Sequence, residues 1–191
     1  MRLALIATTA TLALVGLGCG GGSDDEQSTS VPSTTPATTG ETFEGTTATV
    51  TGEAQSSETA LLERVAVAGH AGYDRVVFQF RNGLPGYRVG YAEPPLHEDG
   101  SGNVVNLDGS AFVVVRMEPA SGFDLSVPEG ELIYTGPRRI PGGDTSVVKE
   151  VVRTGDFEAV LTWAVGLDAR VAFRVLTLDD PARIVVDFGS P

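Results

Sequence analysis

Residues 60–191 of this 191-residue chain predict an all-β fold, a β-sandwich of two packed sheets. Three observations predict it: apolar residues alternate with period two, turn signals separate the alternating runs at short spacing, and no stretch carries a helical period with caps. In "DRVVFQFR", Val76, Phe78 and Phe80 fall on one face and Arg75, Val77, Gln79 and Arg81 on the other. In "FEAVLTWAV", Phe157, Ala159, Leu161, Trp163 and Val165 are expected to share a side, with Trp163 in the core. Similar runs occur at "RVAVAG", "YRVGYAE", "AFVVVRME", "ELIYTG", "SVVKEVVRTG" and "FRVLTLDD". The turns between them are read at His70-Ala71-Gly72, Asn82-Gly83, Asp99-Gly100, Asp108-Gly109, Gly142-Gly143, Thr154-Gly155-Asp156 and Asp179-Asp180-Pro181. Eight to ten short strands divided in this way suit a sandwich or a flattened barrel.

An internal echo adds two-fold organisation. Residues 75–80 read "RVVFQF" and residues 183–188 read "RIVVDF", and each follows a short strand, "RVAVA" or "RVLTL", across a turn. Two hairpins of one design are expected, the second bringing the end of the chain into a sheet.

The first 59 residues differ in kind. Met1-Arg2 is a short positive start, and the uncharged run to Leu17 ends in small residues before Cys19, the arrangement of a secretory signal over residues 1–18. The run is shorter than the roughly 20 apolar residues of a spanning helix. Cys19 is the sole cysteine, so it has no partner for a disulfide within the chain. The join Gly16-Leu17-Gly18-Cys19 resembles the lipobox of bacterial lipoproteins, which implies lipid attachment at Cys19; the alternative is an ordinary signal ahead of a free thiol. Two or more acyl chains on one residue hold a protein stably to a membrane. Between Gly20 and Thr59 there are seven acidic residues and no Lys or Arg, set among Thr, Ser, Gly and Ala. Such a composition buries too little apolar area to offset its ordering entropy, so residues 19–59 are expected to form a disordered tether. Its mean span as a coil would be about 35 Å.

With 13 basic and 25 acidic residues the chain has a formal net charge of −12. That balance argues against nucleic acid, whose binding rests on neutralised phosphates, and requires any anionic partner to be met by a local basic patch.

Signatures of catalysis are not found. There is no Gly-x-Ser-x-Gly elbow, Lys149 is the sole lysine and follows no glycine-rich phosphate loop, and Cys19 is assigned to the anchor. No metal or other cofactor is expected either: His70 and His97 fall in separate loops, and the acidic loop around Glu93, His97, Glu98 and Asp99 is read as solvated. The candidate binding residues are Tyr87, Arg88 and Tyr91 in "PGYRVGY" and Arg138 and Arg139 in "TGPRRIPGG". Tyrosine rings stack on sugars and arginines grip carboxylates bidentately. The plain alternative makes the tyrosines core packing and the arginines ordinary surface charge.

The runs "DRVVFQFRNGLPGYRVGY", "DGSAFVVVRMEPASG", "YTGPRRI", "VVKEVVRTGDFEAVLTWAVGLD" and "FRVLTLDDPARIVVDF" resemble the AMIN-like domain of bacterial envelope lipoproteins, a relative of the AMIN domain. The hairpin strands with their arginine and closing Asp-Phe are the part shared with AMIN proper. The resemblance implies a non-catalytic, extracytoplasmic protein, lipid-anchored to the cell membrane, whose domain attaches to peptidoglycan or to a cell-wall protein. Two other roles remain open: a lipoprotein that binds a small solute in a concave pocket, and a scaffold that binds other envelope proteins.

Overall fold

The computed structural model describes residues 43–191, so the signal segment, Cys19 and the tether up to residue 42 lie outside the described residues. The first strands are β1 (Val50–Gly52), β2 (Ala60–His70), β3 (Tyr73–Arg81), β4 (Gly86–Ala92), β5 (Leu96–His97), β6 (Val104–Val105), β7 (Ala111–Glu118) and β8 (Ala120–Ser121). They are followed by β9 (Phe123–Asp124), β10 (Glu131–Leu132), β11 (Arg139–Pro141), β12 (Val148–Phe157), β13 (Val160–Leu167), β14 (Phe173–Asp179) and β15 (Ala182–Gly189). No helix occurs among the described residues, and the eight strands of seven residues or more match the alternating runs of the sequence.

Two sheets carry the fold. One has six strands in the order β1-β4-β7-β13-β12-β11, the other five in the order β14-β15-β3-β2-β8. Every pairing is antiparallel except the short contact of β2 with β8. Alternation decides what goes inside. Val76, Phe78 and Phe80 of β3 are buried, as are Ile184, Val186 and Phe188 of β15, and they meet Val113, Val115, Leu161, Trp163 and Val165 from the six-stranded sheet. Trp163 is fully buried and makes edge contacts with Phe78 and Tyr134.

A buried carboxylate ties the sheets together. Asp74, on the inner side of β3, is wholly buried and accepts the backbone N–H groups of Ser146, Val147 and Val148 at 3.0, 2.6 and 3.0 Å. The loop entering β12 is thereby fixed to the five-stranded sheet, with both oxygens of the buried carboxylate hydrogen-bonded.

The echoed segments lie side by side. β3 and β15 are the adjacent central strands of the five-stranded sheet, each with its hairpin partner on the outside. Val77 faces Val185, and these are equivalent positions of the two copies, so a local two-fold axis passes between them.

Two expectations are corrected. Thr154-Gly155-Asp156 is not a turn but a bulged part of β12. The reversal comes at Glu158 and Ala159, whose φ values of 51° and 57° are those of the two-residue hairpin turn that matches strand twist. Phe157 therefore sits at the tip with 63% of its surface exposed, and Ala159 lies in the turn; neither joins Trp163 in the core. The second correction concerns residues 43–59, expected to belong to the tether. Val50–Gly52 pairs with Val89, Arg88 and Tyr87, and Thr46 forms a bridge with Phe173. Backbone pairing, which needs few apolar side chains, brings residues 43–59 into the fold.

Candidate functional site

A sandwich has two outer faces, and this one treats them differently. Over the six-stranded sheet lies the segment from residue 93 to 110, containing β5 and β6. Its Asp99 N–H donates to Thr154 O at 3.0 Å, and a Cβ added at Gly155 or Gly166 would collide with Asp99 or with the Asp108 carbonyl. Small residues on the sheet thus accept a roof.

The two candidate arginines hold that roof down. Arg138 donates to Glu98 and, through Nε, to Arg153 O at 3.0 Å. Arg139 contacts both oxygens of Glu150 at 2.9 and 2.8 Å and donates to Asn106 O at 2.6 Å. Each arginine is taken up by its own carboxylate and backbone carbonyl, so sequence adjacency does not give the pair a common ligand. Tyr87 and Tyr91 are separated from Arg88 by strand alternation, which sends neighbouring side chains to opposite sides. Both rings pack against the core from the inner side of β4, while Arg88 is exposed on the outer side beside Thr51 and Arg116. The Tyr91 hydroxyl donates to Val171 O at 2.6 Å and accepts from Val171 N–H at 2.9 Å, with the Arg170 guanidinium 3.9 Å above its ring. Burial raises the pKa of that hydroxyl above its ordinary value, against the opposing pull of Val171 and Arg170.

The outer face of the five-stranded sheet stays open, and its cross-strand rows can be read from the register. One row runs Ala68, Arg75, Asp187, Arg174. The next is apolar: Ala66, Val77, Val185, Leu176. The third runs Arg64, Gln79, Arg183, Leu178.

In the first row both arginines are engaged by one carboxylate. Asp187 is wholly buried beneath two guanidinia; Arg75 Nε and Nη2 reach its oxygens at 2.6 and 2.9 Å, and Arg174 Nε at 2.9 Å. Burial alone would raise the Asp187 pKa, but the hydrogen bonds and charges of Arg75 and Arg174 outweigh it and hold the group below the usual carboxylate value. The Arg75 pKa is raised, chiefly by the same bond. Aromatic rings extend this end of the face. Tyr73 stacks on His70 at 4.8 Å, and the Arg174 guanidinium lies 4.9 Å from the Phe43 ring centre and 5.2 Å from that of Tyr73.

The third row contains no acid. By the two-fold relation Arg183 is the counterpart of Arg75, but where Arg75 faces Asp187, Arg183 faces Gln79. Arg64 stands on the other side of Gln79, about 10 Å from Arg183 across two strand spacings. Arg64 and Arg183 make no ion pair among the described residues, and Glu63, the nearby acid, is engaged by Arg81 at 3.0 Å and by Gln79 at 3.4 Å. The face gathers Arg64, Arg75, Arg81, Arg174 and Arg183 against Glu63 and Asp187, a local positive excess on a chain of net charge −12. None of these residues was a candidate from the sequence, although the echoed Arg and the closing Asp-Phe held the signal.

The architecture is that of a β-sandwich with one roofed face and one open, arginine-bearing face. A family model described as the AMIN-like domain matches residues 60–190, and the chain belongs to that family. Membership carries, at a coarse level, a peptidoglycan-related role in the cell envelope. Searches of curated proteins and of solved structures returned no match.

Proposed function

We propose that this is a non-catalytic envelope lipoprotein, anchored through lipid on Cys19, whose sandwich holds peptidoglycan on the open face of the five-stranded sheet. The observation that carries the reading is the uncompensated row Arg64–Gln79–Arg183 on that face. Two guanidinia about 10 Å apart with an amide between them suit carboxylates of peptide stems or muramyl lactyl groups. The adjoining half-buried Val77 and exposed Leu176, with the Tyr73 and His70 rings beyond, suit the apolar faces of sugars. Function is then positional: the anchor fixes one end at the membrane, the segment before residue 43 supplies reach, and the domain grips the wall.

Fractionation tests the anchor. The wild-type chain is expected in the membrane fraction and the Cys19→Ser chain in the soluble extracytoplasmic fraction; membrane retention of the mutant would overturn lipid attachment. Binding of purified sacculi by the Cys19→Ser chain tests the grip independently of the anchor.

A further inference from the structure

At the opposite end of β3 from Arg75, about 23 Å along the strand, the sandwich carries a cleft of about 840 Å3, within the range of small-molecule sites. Two of the most exposed large apolar side chains among the described residues, Leu125 at 83% and Phe157 at 63%, line it above the buried Leu61. Phe157 is presented by the turn in which Glu158 and Ala159, neither a glycine, take left-handed backbone angles. The facing wall is already built. Asp156 accepts from Ser121 Oγ at 2.8 Å and Gly122 N–H at 3.0 Å, Ser121 Oγ accepts from Phe123 N–H at 3.0 Å, and Asp124 accepts from Ser126 N–H at 2.8 Å. A site formed before its ligand arrives loses less entropy on binding.

Charge selects the occupant. No Lys, Arg or His lines the cleft, whereas Glu58, Asp124 and Glu158 do, and these three make no ion pair among the described residues. Asp156 has Arg153 at 3.6 Å, and the nearby Arg81 is held by Glu63. Among the described residues no three acidic or histidine side chains gather as a metal set, so the negative charge is spread around apolar walls. We infer that this cleft is a second binding site, separate from the open basic face, for a small organic cation with an apolar body, of the alkylamine or aralkylamine class. Its sign is opposite to that of the Arg64–Gln79–Arg183 row, so the two sites do not share ligands.

The test is a titration of the full chain carrying Cys19→Ser with 4-phenylbutylamine, 4-phenylbutan-1-ol and 4-phenylbutanoate, followed through backbone amide resonances. The amine is expected to shift residues 57–59, 121–126 and 156–159 saturably, to bind about tenfold or more tighter than the alcohol, and to outcompete the carboxylate, as a charge-assisted contact requires. Asp124→Asn with Glu158→Gln should bring the amine to the affinity of the alcohol and leave the alcohol unchanged. Phe157→Ala should weaken both, and because Phe157 is exposed the fold is not at stake. Equal affinity for amine and alcohol, binding of the carboxylate, absence of saturation, or shifts confined to other parts of the domain would each overturn the assignment, whatever the sacculus experiment shows.

Discussion

Arg75 and Asp187 stand opposite each other on the two echoed strands and share two hydrogen bonds, 2.6 and 2.9 Å, with the carboxylate wholly buried. Arg174 closes the clamp from β14. Asp187→Asn should cost about 2 to 3 kcal/mol, below the upper range for breaking a buried pair because the two guanidinia stay partly solvated. The pH dependence has a definite sign. The folded pKa of Asp187 is depressed, so its stabilisation is fully present above the unfolded value of about 3.9 and is lost as pH falls through the lower folded value. Denaturant unfolding between pH 7 and pH 2 should show the wild-type advantage over Asp187→Asn shrinking only below about pH 4. A constant difference across that range would contradict the clamp.

β15 is the central strand between β14 and β3, and it buries Ile184, Val186 and Phe188. A chain ending at Pro181 leaves β14 without its neighbour and the core open along one side. It should show no cooperative unfolding transition. A truncated chain with dispersed amide resonances would contradict the pairing of the two hairpins.

Tyr91 is predicted to be a structural residue. Tyr91→Phe removes both contacts of the hydroxyl with Val171 and leaves two backbone groups short of a partner, a loss of about 1 to 3 kcal/mol. The melting temperature should fall while retention on sacculi stays at the wild-type level.

Arg138 and Arg139 fasten the segment over the six-stranded sheet through half-exposed ion pairs. The double change to alanine should leave global stability close to that of the parent, because exposed ion pairs are screened by solvent. Amide hydrogen exchange should accelerate between residues 98 and 108. Unchanged exchange there would show that the roof is held by its backbone contacts alone.

Much of the fold was legible because a half-buried strand writes its two faces alternately into the sequence. "DRVVFQFR" placed Val76, Phe78 and Phe80 inside without further help. The β12–β13 turn was misplaced because the alternation of "FEAVLTWAV" runs through Glu158 and Ala159 without interruption, while Gly155, a turn residue by composition, serves a bulge beneath Asp99. The basic face was harder to see. Its arginines are dispersed over more than a hundred positions, and only the register of β2, β3, β14 and β15 brings Arg64, Gln79 and Arg183 into one row. Conversely Arg138 and Arg139, adjacent in sequence, drew attention to a pair that the fold divides between two carboxylates.

The central claim is that the open face of the five-stranded sheet holds the wall. Its most direct measurement is co-sedimentation of the full chain carrying Cys19→Ser with purified, protein-free sacculi, beside Arg64→Glu/Arg183→Glu and Arg138→Ala/Arg139→Ala in the same background. The account predicts that the parent chain pellets with the sacculi and is released as salt rises, that the charge reversal stays in the supernatant, and that the alanine pair pellets like the parent. Undiminished pelleting of Arg64→Glu/Arg183→Glu, or no pelleting of the parent at any salt, would contradict it.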